Sequence, residues 1–444
     1  MKVFLVTLAA IAASFYFFPF EFVFLPGVNT KMMVAVAGCA FAGIDFVKYR
    51  RIIPDRRFVE IFFYALAVSF ISLVSITYNG THDHSFTGYF VSMLVWIAGA
   101  WGACGVIKAV HGRLDAELVA AYLVLICSAQ CILAFIMNMY EPLRLYVDGF
   151  LGGTEEYMGI AEGRLYGIGC ALDVAGLKFS AVLVIIAFLS VHGSRFVQDH
   201  ISWYVAAFIV MTVIGNMISR TTLVGVLIAV FYWTVSGIAW ILGRRGMEWG
   251  FVRRLAILLA VAVPVVVISY NLSPVIASDI RFAFEGFFSL FETGHWYTHS
   301  SDILINHMIV FPDNARTWII GDGLAANPVT FPEIDPYYTG EEYHGYYMAT
   351  DIGYLRYIFY FGLTGLILFI TYFCKVAQAC MSFFPRYRVM FLMILAVNFI
   401  GWLKVSTDIF PVFAAFLAVA LISGQDKYED GDNGSEELEE SSAA

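Results

Sequence analysis

Six arginines, Arg144, Arg164, Arg220, Arg281, Arg316 and Arg356, stand apart from the basic clusters of this chain, each in or beside a polar segment that joins two apolar runs. A guanidinium never loses its charge and binds phosphate oxygens as a two-pronged fork, so isolated arginines at such junctions suit a phosphorylated ligand. Arg164, Arg220 and Arg356 sit where a polar segment meets an apolar run, and Arg281 and Arg316 lie inside the polar stretch from Ser273 to Asp351. Arg220 lies in the break Gly215-Asn216-Met217-Ile218-Ser219-Arg220-Thr221-Thr222, with no acidic residue beside it in sequence. The alternative for each is a side chain that snorkels to lipid phosphate or pairs with a carboxylate. The stretch 273–351 adds carboxylates, His295, His299, His307 and His344, and many Tyr, Trp and Phe. Aromatic faces pack on the C–H faces of sugars while carboxylates and phenols bond sugar hydroxyls; the same rings would equally suit an interfacial belt with a small loop core. His295 and His299 are spaced i, i+4, but no Glu motif accompanies them, so no metal ligand set is expected.

These residues are positioned by apolar runs. The chain is 60% apolar and 14% charged, with a mean hydropathy of +0.77, which excludes an ordinary soluble domain of this length. A bilayer core takes about 20 apolar residues per helix, and backbone in lipid must pair internally, so continuous rather than alternating apolar runs predict a helical bundle. Such runs start at the first residues and recur near 31–47, 58–78, 86–108, 116–139, 172–191, 200–218, 221–242, 254–272, 353–378, 389–405 and 409–424. The expected fold is therefore an all-α polytopic membrane protein of about 12 transmembrane helices. Residues 1–272 carry spans 1–9 with short loops, 273–352 form one large loop between spans 9 and 10, 353–424 carry spans 10–12, and 425–444 form an acidic tail disordered by composition. The first run continues past any plausible signal-peptide cleavage point and reads as a retained helix. A polar loop of that length needs structure of its own, and surface helices are predicted across 280–290 and 301–310.

Lys and Arg fix the orientation. Lys48, Arg50, Arg51, Arg56 and Arg57 follow span 2; Lys108 and Arg113 follow span 4; Arg195 follows span 6; Arg244, Arg245, Arg253 and Arg254 follow span 8; Lys375, Arg386 and Arg388 follow span 10. All fall on one side, the cytoplasm, with both termini. The acidic loops Tyr140–Ala171 and 273–352 then lie on the far, periplasmic side. The formal charge of −9 reflects those loops and the tail, and no basic tract for nucleic acid is present. The seven cysteines include no Cys-x-x-Cys pair, which argues against a disulfide framework or a zinc site.

Four motifs carry a resemblance. Gly163-Arg164-Leu165-Tyr166-Gly167, followed by Asp173 to Gly176, resembles the arginine-glycine outer-loop motif of the O-antigen polymerase and ligase superfamily. Asn216-Met217-Ile218-Ser219-Arg220-Thr221 resembles its Ser-Arg signature. Trp318-Ile319-Ile320-Gly321-Asp322-Gly323 resembles its apolar-apolar-Gly-x-Gly stretch, and His344 to Asp351 leading into Gly353 and Gly365 resembles the exit of its large loop. The resemblance covers residues 140–380 and implies a GT-C-like glycosyltransferase of the bacterial inner membrane, acting at the periplasmic face without cofactor or metal. The donor would be an undecaprenyl-diphosphate-linked oligosaccharide and the acceptor a lipid-linked repeat unit, giving O-antigen or capsular polymer. It also implies a chain-length regulator and a flippase as partners, besides the lipid bilayer. On that reading Arg164 and Arg220 clamp the diphosphate, with Arg281, Arg316 and Arg356 as further diphosphate ligands. His344 or Asp351 serves as base or orients the acceptor. The alternatives are an O-antigen ligase, disfavoured where Gly345 replaces the Asn that follows the His in ligases, a lipid-linked oligosaccharide transporter, and a non-catalytic scaffold.

Overall fold

A computed structural model describes residues 2–49, 55–152, 164–243, 249–340 and 345–424. The chain is helical almost throughout. Helices α1 (Lys2–Phe17), α2 (Thr30–Tyr49), α3 (Arg56–Asn79), α4 (Tyr89–His111) and α5 (Ala116–Met139) are followed by the short α6 (Glu141–Asp148). Then come α7 (Leu172–His192), α8 (Arg195–Asp199), α9 (Ile201–Ile218), α10 (Thr222–Ile241) and α11 (Trp249–Leu272). The large loop carries α12 (Pro274–Ala283), α13 (Glu285–Thr293), α14 (His299–His307) and α15 (Ala315–Ile319). The chain closes with α16 (Gly353–Phe383), α17 (Arg388–Gly401) and α18 (Phe410–Gly424). One small hairpin, β1 (Glu21–Phe22) with β2 (Leu25–Asn29), caps the end of α1.

Among the described residues, eight helices are long and apolar enough to cross a membrane: α3, α4, α5, α7, α9, α10, α16 and most of α11. Helices α1, α18 and the first part of α2 are apolar but shorter, and α17 has 14 residues. Exposure separates two kinds of apolar helix. In α7, 89% of the apolar window is buried, whereas in α11 none is. An all-round apolar helix belongs in a core, so α7 is the axis of the bundle, packed by α5, α9, α10 and α17. The unburied valines and leucines of α11 need an apolar solvent, and only lipid supplies one. The chain is thus a multi-pass, all-α membrane protein. All seven cysteines are free thiols.

Two local devices shape the end of the bundle that carries the large loop. The first is a break in α16, where Phe361 and Gly362 leave helical geometry and Gly362 adopts φ 69°, ψ −175°. Interrupted helices in lipid leave carbonyls unpaired unless another part of the protein reaches them. Here the segment after α15 does so: the Asp322 N–H donates to the Phe359 carbonyl at 2.6 Å and the Gly323 N–H to that of Tyr360 at 3.1 Å. A Cβ at Gly362 would lie 2.2 Å from the Ile319 carbonyl oxygen, so only glycine lets the two backbones meet. Asp83 anchors the same segment by accepting from the backbone N–H groups of Ala325 and Ala326 at 2.7 and 3.2 Å.

The second device is the turn between α9 and α10. Ser219 and Thr221 bond each other at 2.8 Å, and the Ser180 hydroxyl donates to the Thr221 carbonyl at 2.8 Å. A Cβ at Gly176 would fall 2.1 Å from the Thr221 hydroxyl. That glycine lets the turn press against the first turns of α7.

Candidate functional site

Arg164 precedes α7 on an irregular segment that two contacts fix. The Leu165 N–H donates to the Met217 carbonyl at 3.4 Å. The Gln130 side chain brackets Ile168, accepting from its N–H and donating to its carbonyl, both at 3.0 Å. Arg220 leaves the α9–α10 turn. Both guanidinium groups converge on one ring: Arg164 lies 5.3 Å and Arg220 4.4 Å from the centre of Phe282. The two charges are therefore no further apart than the sum of those distances, although 56 residues separate them in sequence. Phe282 is presented by α12, an amphipathic helix capped by the Ser273 hydroxyl. Asp279 of α12 accepts from the Asn138 amide at 2.9 Å, which ties the helix to the end of α5.

Arg220 has an acidic partner after all. Its guanidinium donates to Glu285 Oε2, and its side chain is only 15% exposed. Glu285 lies 65 residues downstream and could not be seen as a neighbour from sequence.

A second group adjoins these arginines through Asp173. Asp173 Oδ1 accepts from the Ser219 hydroxyl at 2.6 Å and from Lys404 Nζ at 3.0 Å, and it feels the charge of Arg164. Its neighbour Leu172 has φ 53°, a left-handed conformation costly for a leucine. Arg356, in the first turn of α16, donates to the Ser406 hydroxyl at 2.5 Å and stacks on Tyr346 at 3.4 Å from the ring centre. Its Nε–H is buried without a hydrogen-bond partner. Asp351 stands between the two groups, in the field of Arg356, Asp173 and Lys404. Burial pushes its carboxyl above the ordinary aspartate value of 3.8; Arg356 and Lys404 oppose that rise, while Asp173 adds to it. Three arginines, one lysine and two aspartates thus gather where α7, α9, α12, α16 and the α17–α18 link meet.

Arg281 and Arg316 stand outside this group. The Arg281 guanidinium stacks on Phe288 at 4.8 Å and donates to Glu292 at 2.6 Å, on the exposed side of the loop helices. Arg316 donates to Asp322 at 3.1 Å in a separate cavity. His344 lies outside the described residues. Of the other loop histidines, the His299 N–H donates to Glu285 Oε1 at 3.1 Å, so that carboxylate serves two partners. Among the described residues no three His, Cys, Asp or Glu side chains are grouped as metal ligands. The helices α12, α13 and α14 overlap the stretches expected to be helical in the loop.

Asp173 stands within one of the motifs but carried no role of its own there, and Lys404 lies at the end of the apolar run 389–405. Phe282 and Glu285 carried no signal at all. No family model matches the chain, and no curated protein matches it.

Proposed function

We propose that this chain is a polysaccharide polymerase of the O-antigen or capsule type, transferring a glycan from undecaprenyl diphosphate onto a lipid-linked repeat unit at the periplasmic face of the inner membrane. The reading includes twelve crossings, both termini in the cytoplasm, and a chain-length regulator and flippase as partners. The observation that carries it is the meeting of Arg164 and Arg220 on Phe282. Two fixed cations, shielded by a ring and by α12, form a cradle for the two phosphates of a lipid carrier.

In the transfer, the acceptor hydroxyl oxygen bonds to the anomeric carbon of the donor while the bond from that carbon to the phosphate oxygen breaks. The departing diphosphate keeps the electron pair and gains negative charge. Cations already in place stabilise that state more than the bound donor, which is what lowers the barrier. The hydroxyl proton goes to a base; Asp351, with its proton affinity raised by burial, is suited to take it. Glu285 keeps Arg220 oriented until phosphate replaces it, and Lys404 with Asp173 holds the neighbouring turn.

A strain lacking the gene separates polymerase from ligase. Loss of long chains, with single repeats still attached to the cell surface, is the expected phenotype. Polymer of normal length that fails to reach the surface would assign the chain to ligation instead. Unpolymerised repeats trapped on the cytoplasmic side would point to transport.

A further inference from the structure

The cavity that holds Arg316 has a chemistry different from that of the arginine group. It encloses about 450 Å³ beside the docked segment 315–323, a volume usual for a small-ligand site. Tyr338 and Tyr347 wall one side, their rings packed edge to face with centres 6.3 Å apart. Asp313, Asp322 and Asp335 line it, and Arg316, the one guanidinium among the described lining residues, is committed to Asp322. The two remaining carboxylates accept from neutral groups, Asp313 from the Asn314 amide at 2.9 Å and Asp335 from the Tyr337 N–H at 3.1 Å. Asn79, at the end of α3, also lines the cavity. Its amide nitrogen donates to the Gly321 carbonyl at 2.9 Å, while its amide oxygen is buried with no partner.

Aromatic walls, acceptor carboxylates and a spare amide oxygen are the parts that bind a sugar ring through its C–H face and its hydroxyls. The uncompensated acid decides which sugar. Among the described residues that line the cavity, a carboxylate on the ligand would face two like charges with no second cation to offset them. Hydroxyls and a protonated amine would find acceptors. The backbone nearby is strained as functional sites often are: Met348, at the cavity wall, and Ala349 have φ 58° and 52°. Tyr346 and Tyr347 are consecutive, one stacked on Arg356 and the other facing this cavity. A glycan whose diphosphate lies at the arginine group could therefore reach it.

We propose that this cavity is a saccharide subsite selective for neutral or amino sugars against uronic acids. The inference rests on the polymerase reading, but its test needs neither a lipid diphosphate nor turnover. The purified full chain in detergent would be titrated with methyl glucoside, methyl 2-amino-2-deoxyglucoside and methyl glucuronide, with saturation-transfer NMR as readout. The first two should bind, and the glucuronide should bind weaker by roughly tenfold or more. Asp313→Asn combined with Asp335→Asn should bring the glucuronide up to the neutral sugar while the protein stays monodisperse. Tyr347→Ala should weaken all three. Equal binding of the three by the unaltered chain, no binding of any, or a double variant with unchanged selectivity would overturn the proposal. Polymer formation that persists beside such a failure would leave the transferase reading standing, and saccharide binding without polymer formation would leave the subsite without it.

Discussion

Arg220 shows what a single residue contributes and how much of it sequence could reveal. A basic residue in a polar break between two apolar runs was conspicuous, whereas its partner Glu285 lies on another helix 65 residues away. Distance along the chain hides such pairs, because the contact exists only once α12 and the start of α13 have folded over the bundle. If the two prongs of Arg220 grip phosphate oxygens, Arg220→Lys keeps the charge but loses the fork. Polymer formation should then fall on the order of a hundredfold while the protein still accumulates in the membrane; near-normal polymer would refute the clamp. Asp351 gives a second test through its raised pKa. A carboxyl whose folded value exceeds its unfolded value stabilises the fold below the unfolded value of 3.8 and loses that contribution as pH rises through the folded one. At neutral pH its charge weighs on the fold, so Asp351→Asn should melt no lower than the parent. As a base it must be ionised, so activity should decline as pH falls through that raised value, and the Asn variant should lose about a hundredfold or more at neutral pH. An Asn variant with full activity would remove Asp351 from the chemistry.

At the scale of elements, the apolar runs announced nearly every helix, and the amphipathic stretches of the loop became α12, α13 and α14. The break in α16 was not legible. Residues 353–378 read as one apolar run, and a lone Gly362 is common enough in membrane helices to carry no signal. What breaks the helix is the docking of 315–323, whose two backbone N–H groups take over the freed carbonyls. The resemblance had marked the same glycine-rich stretch, Gly321-Asp322-Gly323, without saying what it touches. Gly362→Ala places a Cβ against the Ile319 carbonyl and forces a residue into a backbone region nearly reserved for glycine. It should cost on the order of 3 kcal/mol and lower the melting temperature in detergent, with the loop as the first part to open. An alanine variant as stable as the parent would mean that the docked segment does not hold the break.

Over the whole molecule, hydropathy gave the class and the charge clusters gave a sidedness, but neither could tell which polar residues would meet. Arg164, Arg220, Arg356, Asp173, Asp351 and Lys404 come from four separate regions of the chain, and only the packing of α7 against its neighbours brings them to one end. That convergence also sorted the arginines: Arg281 and Arg316, secondary to Arg164 and Arg220 in the sequence reading, pair with Glu292 and Asp322 instead. With no metal ligand set in the sequence pattern, polymer formation should survive EDTA, and a loss that magnesium restores would overturn that expectation. The most direct measurement reconstitutes the purified full chain in liposomes with undecaprenyl-diphosphate-linked repeat units. A ladder of lengthened glycans with stoichiometric release of undecaprenyl diphosphate, both abolished by Arg164→Ala and Arg220→Ala in protein that remains folded, is the expected result. Repeat units left unchanged by the parent chain, or a ladder undiminished in both variants, would contradict it.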